Sequence, residues 1–216
     1  MRAGNEKRHS TTSSERLPYN PLMITAVVLA AGASTRMGTH KLLLPLGGEA
    51  LVRRTVRHVS EAEFDDVLVI VGHEHDRVVA SLQGLKVRHA VNAHYEIGMG
   101  SSFRVAVESM PESAAAMFAL ADQPLLASGD YRRLLDAYRA GAAGIISVRY
   151  GDVTAPPHLF DRRYFPELAR LEHGARPVLQ RHQDDTHILH FSPELLLDID
   201  TTEDYERAKV LVSDKR

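Results

Sequence analysis

The sequence predicts a three-layer α/β/α sandwich built on a mostly parallel sheet. Short, continuously apolar runs recur along the chain, and amphipathic stretches of helical period separate them at a spacing suited to right-handed crossovers. A run that is apolar at every position suits a strand covered on both faces, as parallel strands are; a half-exposed strand alternates instead.

Residues 1–23 read as a disordered or loosely packed arm. His9-Ser10-Thr11-Thr12-Ser13-Ser14 has no periodicity, and Pro18 and Pro21 discourage regular structure. Residues 24–212 form a single domain, followed by a tail at 213–216. Its first strand is Thr25-Ala26-Val27-Val28-Leu29-Ala30, its second Val67-Leu68-Val69-Ile70-Val71. Residues 87–91, interrupted by Arg88 and His89, make a weaker strand nearer an edge. Residues 115–120 and 144–148 supply two more buried strands.

Leu51, Thr55, Val56 and Val59 fall on one helical stripe, with Arg53, Arg54, Arg57 and His58 on the polar side. Residues 101–110 and 130–140 form the next crossovers. Beyond Val148 the alternation loosens. Ala155-Pro156-Pro157-His158-Leu159-Phe160 is excluded as a central strand, because two prolines remove two backbone donors. Helical stretches are expected at 165–172 and 175–181, a short strand at 186–190 and a final helix at 202–212. The later third therefore reads as an insertion over the strand ends.

At 216 residues, with 44% hydrophobic and 25% charged residues, the chain suits one well-buried core. A net charge of -2 supplies no field for nucleic acid or an acidic membrane. No apolar run approaches the roughly 20 residues that cross a bilayer, and the start carries no signal-peptide core. The absence of cysteine excludes disulfides, thiolate nucleophiles and iron–sulfur ligation. The expectation is a cytoplasmic protein that acts on small molecules.

The chemistry concentrates after the first strand, in Leu29-Ala30-Ala31-Gly32-Ala33-Ser34-Thr35-Arg36-Met37-Gly38-Thr39-His40-Lys41. Open α/β sheets bind ligands at this carboxyl edge. Small residues at Ala30, Ala31 and Gly32 let backbone amides approach phosphate oxygens, and Gly32 and Gly38 permit turns closed to other residues. Arg36 and Lys41 add two cations. A Walker loop would need Gly-Lys followed directly by Ser or Thr, and a dinucleotide fingerprint would need glycine at position 30, so neither applies. A tight connection without a ligand is the competing explanation, and the two cations inside the turn argue against it.

Asp122 ends the apolar run at the same edge, and Pro124 turns the chain away behind it. Asp200 follows Asp198 and Ile199 in a short extended piece, with Ile199 turned to the core. Two readings stay open for Asp200: local turn chemistry, or a second carboxylate for a metal. Magnesium prefers oxygen ligands and is often held by one or two carboxylates plus substrate phosphates. Such an ion would offset the repulsion between a polyphosphate and an anionic nucleophile. Asp130 reads as a helix-start residue in a favourable dipole position.

A second loop, Asn92 to Ser102, has Gly98 and Gly100 loosening the backbone before Ser101 and Ser102 at a helix start. Capping and anion binding both suit those hydroxyls. Arg176 suits either a phosphate on a second substrate or an ordinary surface position. The twelve histidines, His158 among them, form no metal-ligand pattern and read as surface or helix-polar residues.

Taken together, Leu29 to Gly38 with Lys41-Leu42-Leu43-Leu44-Pro45, Gly98-Met99-Gly100-Ser101-Ser102, Asp122-Gln123-Pro124-Leu125 and Asp200-Thr201-Thr202-Glu203-Asp204 resemble the MobA-like nucleotidyltransferases. More narrowly, they resemble the molybdenum cofactor cytidylyltransferases. The resemblance implies a Rossmann-like sheet of the nucleotide-diphospho-sugar transferase type. It implies a nucleotide on Ala30, Ala31, Gly32, Asn92 and Ser101, with Arg36 and Lys41 on its triphosphate. It assigns catalysis to Arg36, Lys41 and Asp122, magnesium to Asp122 and Asp200, and the acceptor to Ser102 and Arg176. Alanine at position 31, where guanylyl-transferring relatives carry glycine, resembles the cytidylyl type. The implied reaction joins CTP and molybdenum-loaded molybdopterin, a phosphorylated pterin, beside a molybdoenzyme or its chaperone. One segment departs from the pattern: Ala155-Pro156-Pro157 stands where members carry Gly-x-Pro. Transfer to a different phosphorylated acceptor, and a non-catalytic cofactor-binding role, are the alternatives.

Overall fold

The computed structural model describes residues 23–34 and 37–213. The arm expected at 1–23 falls almost wholly outside those residues, as does Arg36. The chain forms β1 (Ile24–Ala30), β2 (Pro45–Leu46), β3 (Glu49–Ala50), α1 (Leu51–Glu61), β4 (Asp66–Val71), α2 (His75–Ser81), β5 (Arg88–Val91) and α3 (Met99–Ser109). There follow β6 (Ala115–Leu120), α4 (Ser128–Arg139), β7 (Ile145–Tyr150), β8 (Val153–Asp161), α5 (Phe165–Leu168), α6 (Arg176–Arg181), β9 (Thr186–Phe191) and α7 (Thr202–Ser213).

The main sheet has the order β5-β4-β1-β6-β8-β7-β9. β1 pairs in parallel with both β4 and β6, β4 with β5, and β7 with β9; β8 alone runs against its neighbours β6 and β7. Alternation within the strands feeds two cores. Ala26, Val28, Val69 and Met117 face the side packed by α1, α2, α4 and α7. Val27, Leu29, Leu68, Ile70 and Phe118 face the side packed by α3, α5 and α6. The three-layer sandwich follows from strands apolar on both faces. No helix among the described residues is long and apolar enough to cross a membrane.

The exclusion of residues 155–160 as a central strand was wrong. β8 carries Pro156 and Pro157 and lies between β6 and β7, well inside the sheet. The prolines are tolerated because the pairing breaks where they fall. β7 pairs with β8 at Ile146–Leu159, slips, and resumes at Val148–Ala155, while the β6 pairing stops at Phe118–His158. No ladder bond is asked of either proline, which is the condition under which proline enters a sheet. The slip leaves Ser147 opposite an unpaired stretch, a point that matters for the site.

Candidate functional site

The chain leaves β1 and crosses to β4 on one side; only after β5 does it return to β6 on the other. The switch point therefore lies between β1 and β6, where the loops leaving both strands flank a crevice. The turn after β1 brings Ala30, Ala31, Gly32, Ser34 and Lys41 to one side of a cavity of about 310 Å³. Asp122 leaves β6 on the other side, and Ala121 N donates to Leu29 O at 3.1 Å to hold the two strand ends together.

Asp200 arrives from far along the sequence by a specific route. Ile199, fully buried, anchors the segment, and its N–H donates to Asp122 O at 3.1 Å. Gln123 Nε2 donates to Asp198 Oδ1 at 2.8 Å. Asp204 Oδ2 accepts from the Asp200 and Thr201 amides, while the Asp204 amide donates to Thr201 Oγ1. This reciprocal cap fixes the start of α7 and the backbone of Asp200 with it. Local turn chemistry and arrival at the site are thus both true of this segment.

Lys41 Nζ donates to Asp122 Oδ2 at 2.6 Å and to Asp200 Oδ1 at 2.9 Å. Burial draws the ammonium pKa down, but the two carboxylates outweigh it and hold the value above the ordinary one. The lysine backbone is pinned too, since Lys41 N donates to Ser34 Oγ at 3.2 Å. The two carboxylates and one ammonium carry a net negative charge, so a polyphosphate needs further positive charge here. Among the described residues no group of three or more His, Asp or Glu side chains forms a metal cage. Two hard carboxylate oxygens converging on one cation fit magnesium, which completes its shell with water and phosphate.

Gly38 adopts the left-handed conformation expected of it (φ 64°), whereas Gly32 does not need one. A Cβ on Gly32 would meet nothing within 4 Å, so this glycine leaves open space before the loop. Gly72, after β4, is the close approach: its Cβ would lie 2.7 Å from Ala31 O. The His73 amide donates to that same oxygen at 3.2 Å, setting the height of the loop.

Ser102 lines this cavity, but Asn92 and Ser101 do not. Asn92 is buried, and its Nδ2 donates to Ser101 Oγ at 2.8 Å and Ser102 Oγ at 3.0 Å. Ser101 Oγ in turn donates to Gly98 O at 2.7 Å. These groups hold the α3 entrance in shape. Gly100 is not a loosening residue but a contact. A Cβ there would sit 1.9 Å from Leu171 O, and its N–H donates to Glu172 O at 3.2 Å. The late insertion is seated on α3 through this glycine. Gly100→Ala is expected to cost about 3 kcal/mol, as overpacking against backbone does, and to lower the melting temperature by roughly 6 °C or more. An unchanged melting curve would remove this contact from the account.

Met99, Leu29 and Leu120 line the first cavity and also a second of about 830 Å³ under the insertion. Arg176, at the start of α6, lies on the second. So do three residues not singled out from sequence: Ser147 and Arg149, on one face of β7, and His158 from β8. His158 is not a surface residue; it is 5% exposed, and Nδ1 lies 3.0 Å from Ser147 Oγ. The signal for Ser147 was a polar residue inside an apolar strand. His158 was hidden by the proline argument.

Burial pushes the His158 pKa down to about 3 from 6.5. Between those values the unfolded chain binds a proton that the native imidazole refuses, so stability falls as pH falls below about 6.5. The slope reaches at most about 1.4 kcal/mol per pH unit. His158→Val should flatten it, giving a smaller loss of melting temperature between about pH 7 and pH 5. Parallel pH profiles in the two proteins would contradict this.

The profile of the MobA-like NTP transferase domain family matches residues 26–186. Rv0371c from Mycobacterium tuberculosis superposes with a TM-score of 0.78 and 31% identity, over 87% of this chain and 97% of that one. A structure of Rv0371c in complex with manganese gives a TM-score of 0.75 and 30% identity, over 87% and 98%. Among curated proteins, the bifunctional protein GlmU of Burkholderia ambifaria is 32% identical over 130 residues, 59% of this chain. The chain spans only 28% of the length of that relative.

Proposed function

Because the chain belongs to the MobA-like NTP transferase domain family, we propose that it transfers a nucleotidyl group from a nucleoside triphosphate to a phosphorylated small molecule. An oxygen of the acceptor phosphate attacks the α-phosphorus, the bond from that phosphorus to the bridging oxygen breaks, and pyrophosphate leaves. The observation that carries the reading is Lys41 held between Asp122 and Asp200 under the Ala30–Gly32 turn, with the larger cavity opening beside it.

In this reading the nucleotide phosphates lie against the backbone of Ala30, Ala31 and Gly32, with Lys41 and Arg36 as counter-charges. Lys41 is the cation that can leave the carboxylates for the phosphates. Asp122 and Asp200 would hold magnesium, which supplies neutralisation of developing phosphate charge. Asn92 and Ser101 act by shaping the α3 entrance, and Ser102 and Arg176 stand on the acceptor's side. The attacking phosphate is already ionised near neutral pH, so no general base is required. The transferase domain is residues 24–212.

CTP as donor and molybdenum-loaded molybdopterin as acceptor is the narrower form. Ala31 supports CTP, and the size of the second cavity supports an acceptor larger than a three-carbon phosphate. The product would be molybdopterin cytosine dinucleotide, made in the cytoplasm beside a molybdoenzyme or its chaperone. The Ala155-Pro156-Pro157 departure, which brings His158 to the cavity, favours a different phosphorylated acceptor. A panel of molybdopterin, sugar phosphates and phospholactate with CTP and GTP, read by product mass, separates the two. A cytidylated pterin supports the narrow form. A product on another phosphate keeps only the broad one, and no product with any pair sinks both.

A further inference from the structure

Two planar peptide units meet at the Asp122 Cα, and the direction of its carboxylate follows from how each plane is held. The plane after it is fixed by Ile199 N, which donates to Asp122 O at 3.1 Å. The plane before it carries Ala121 O, and that oxygen accepts from Thr55 Oγ1 at 3.1 Å. Arg54 Nε donates to Pro124 O at 3.3 Å. Helix α1 therefore grips the turn both before and after the aspartate.

Thr55 is the one polar member of the buried stripe on α1, whose other members are Leu51, Val52, Val56 and Val59. It is 1% exposed. A valine has nearly the same shape and no hydroxyl to take out of water, so packing alone does not call for threonine here. Serine and threonine inside helices commonly return the hydroxyl to the carbonyl four residues back. Ser60 of the same helix does so, donating to Val56 O at 2.8 Å. Thr55 instead reaches a turn 66 residues away.

Resting on the reading that Asp122 and Asp200 hold a divalent ion, we propose that Thr55 is a positioning residue for that ion. Its hydroxyl fixes the peptide plane between Ala121 and Asp122, and with it the angle at which the Asp122 oxygens meet Lys41 and Asp200. Without the hydroxyl, the buried Ala121 carbonyl loses this donor and turns to find another, and the carboxylate turns with the plane. Thr55 lines neither cavity, so it acts only through the aspartate.

Manganese binding to the nucleotide-free full chain, followed by paramagnetic resonance, tests this without turnover. Thr55→Val is expected to weaken binding by about 10-fold, the scale of a lost partner behind a metal ligand. Thr55→Ser keeps the hydroxyl and should restore most of the affinity. Ser113→Ala is the control for a merely structural role. Ser113 Oγ lies 2.6 Å from Thr25 Oγ1, fully buried, where the chain enters β6 at the opposite edge of the sheet from Asp122. Its loss should lower the melting temperature as Thr55→Val does, and leave manganese affinity unchanged. Arg54→Met releases the far side of the turn; it should weaken manganese in the same direction, and stands in if Thr55→Val does not fold. Unchanged affinity in Thr55→Val, or an equal loss in Ser113→Ala, overturns the assignment. No manganese binding in wild type removes the ion reading and the assignment together. Affinity lost in Thr55→Val and restored in Thr55→Ser, in a protein that releases no pyrophosphate from CTP or GTP, would leave the assignment standing and remove the transferase reading instead.

Discussion

Asp122→Ala is expected to lower turnover by at least about 100-fold, the scale of a lost electrostatic contact in phosphoryl transfer. The fold should survive. The packing role of residue 122 is carried by its carbonyl, which accepts from Ile199 N, and the substitution keeps that bond. The carboxylate makes one described contact, to Lys41 Nζ at 2.6 Å. Removing it takes away one of the two oxygens proposed for magnesium and leaves Lys41 on Asp200 alone. Asp130→Ala is the control. Asp130 Oδ2 accepts from the Ala127 amide at the start of α4, so its loss costs about 1 kcal/mol of stability and no turnover. Pyrophosphate release measured on both variants decides. Near-full turnover in Asp122→Ala, with a divalent ion still required, would falsify the metal assignment and favour a binding protein.

Why some of this was legible and some not is visible in individual residues. β1, β4 and β6 were readable because both faces are buried, so each is apolar at every position but Thr25 in β1 and Asp66 at the start of β4. The ends of β1 and β6 followed from them, and with those ends the places of Lys41 and Asp122. β8 was misread because a rule about regular ladders was applied where the ladder slips, and pairing register is a property of two strands. α2 carries a single buried residue, Val78, too little for a periodic signal. Asp200 could be nominated, but its meeting with Lys41 depends on a bond between Ile199 and Asp122, which no local pattern encodes. Asn92 and Ser101 illustrate the converse. Their types suited a ligand, yet their polar atoms are engaged with each other, which only three-dimensional packing reveals.

Lys41→Met should produce two results of opposite sign. Turnover is expected to fall by about 100-fold or more, since the phosphates lose a fixed counter-charge. Manganese binding to the nucleotide-free protein, followed by its paramagnetic resonance, is expected to tighten by about tenfold. The second result follows from competition. In the present arrangement the ammonium pairs with both Asp122 and Asp200 and offsets one of their two charges, and an incoming ion must displace it. With methionine there, the two carboxylates lose the cation they share, and the like charges brought to one place favour whichever ion arrives. Lys41→Arg separates charge from shape. It keeps the carboxylates paired, so manganese affinity should not rise, but a planar fork does not replace a compact ammonium on phosphate, so turnover should stay low. Weaker manganese binding in Lys41→Met would mean that Asp122 and Asp200 do not form the ion site, whichever nucleotide and acceptor the enzyme uses.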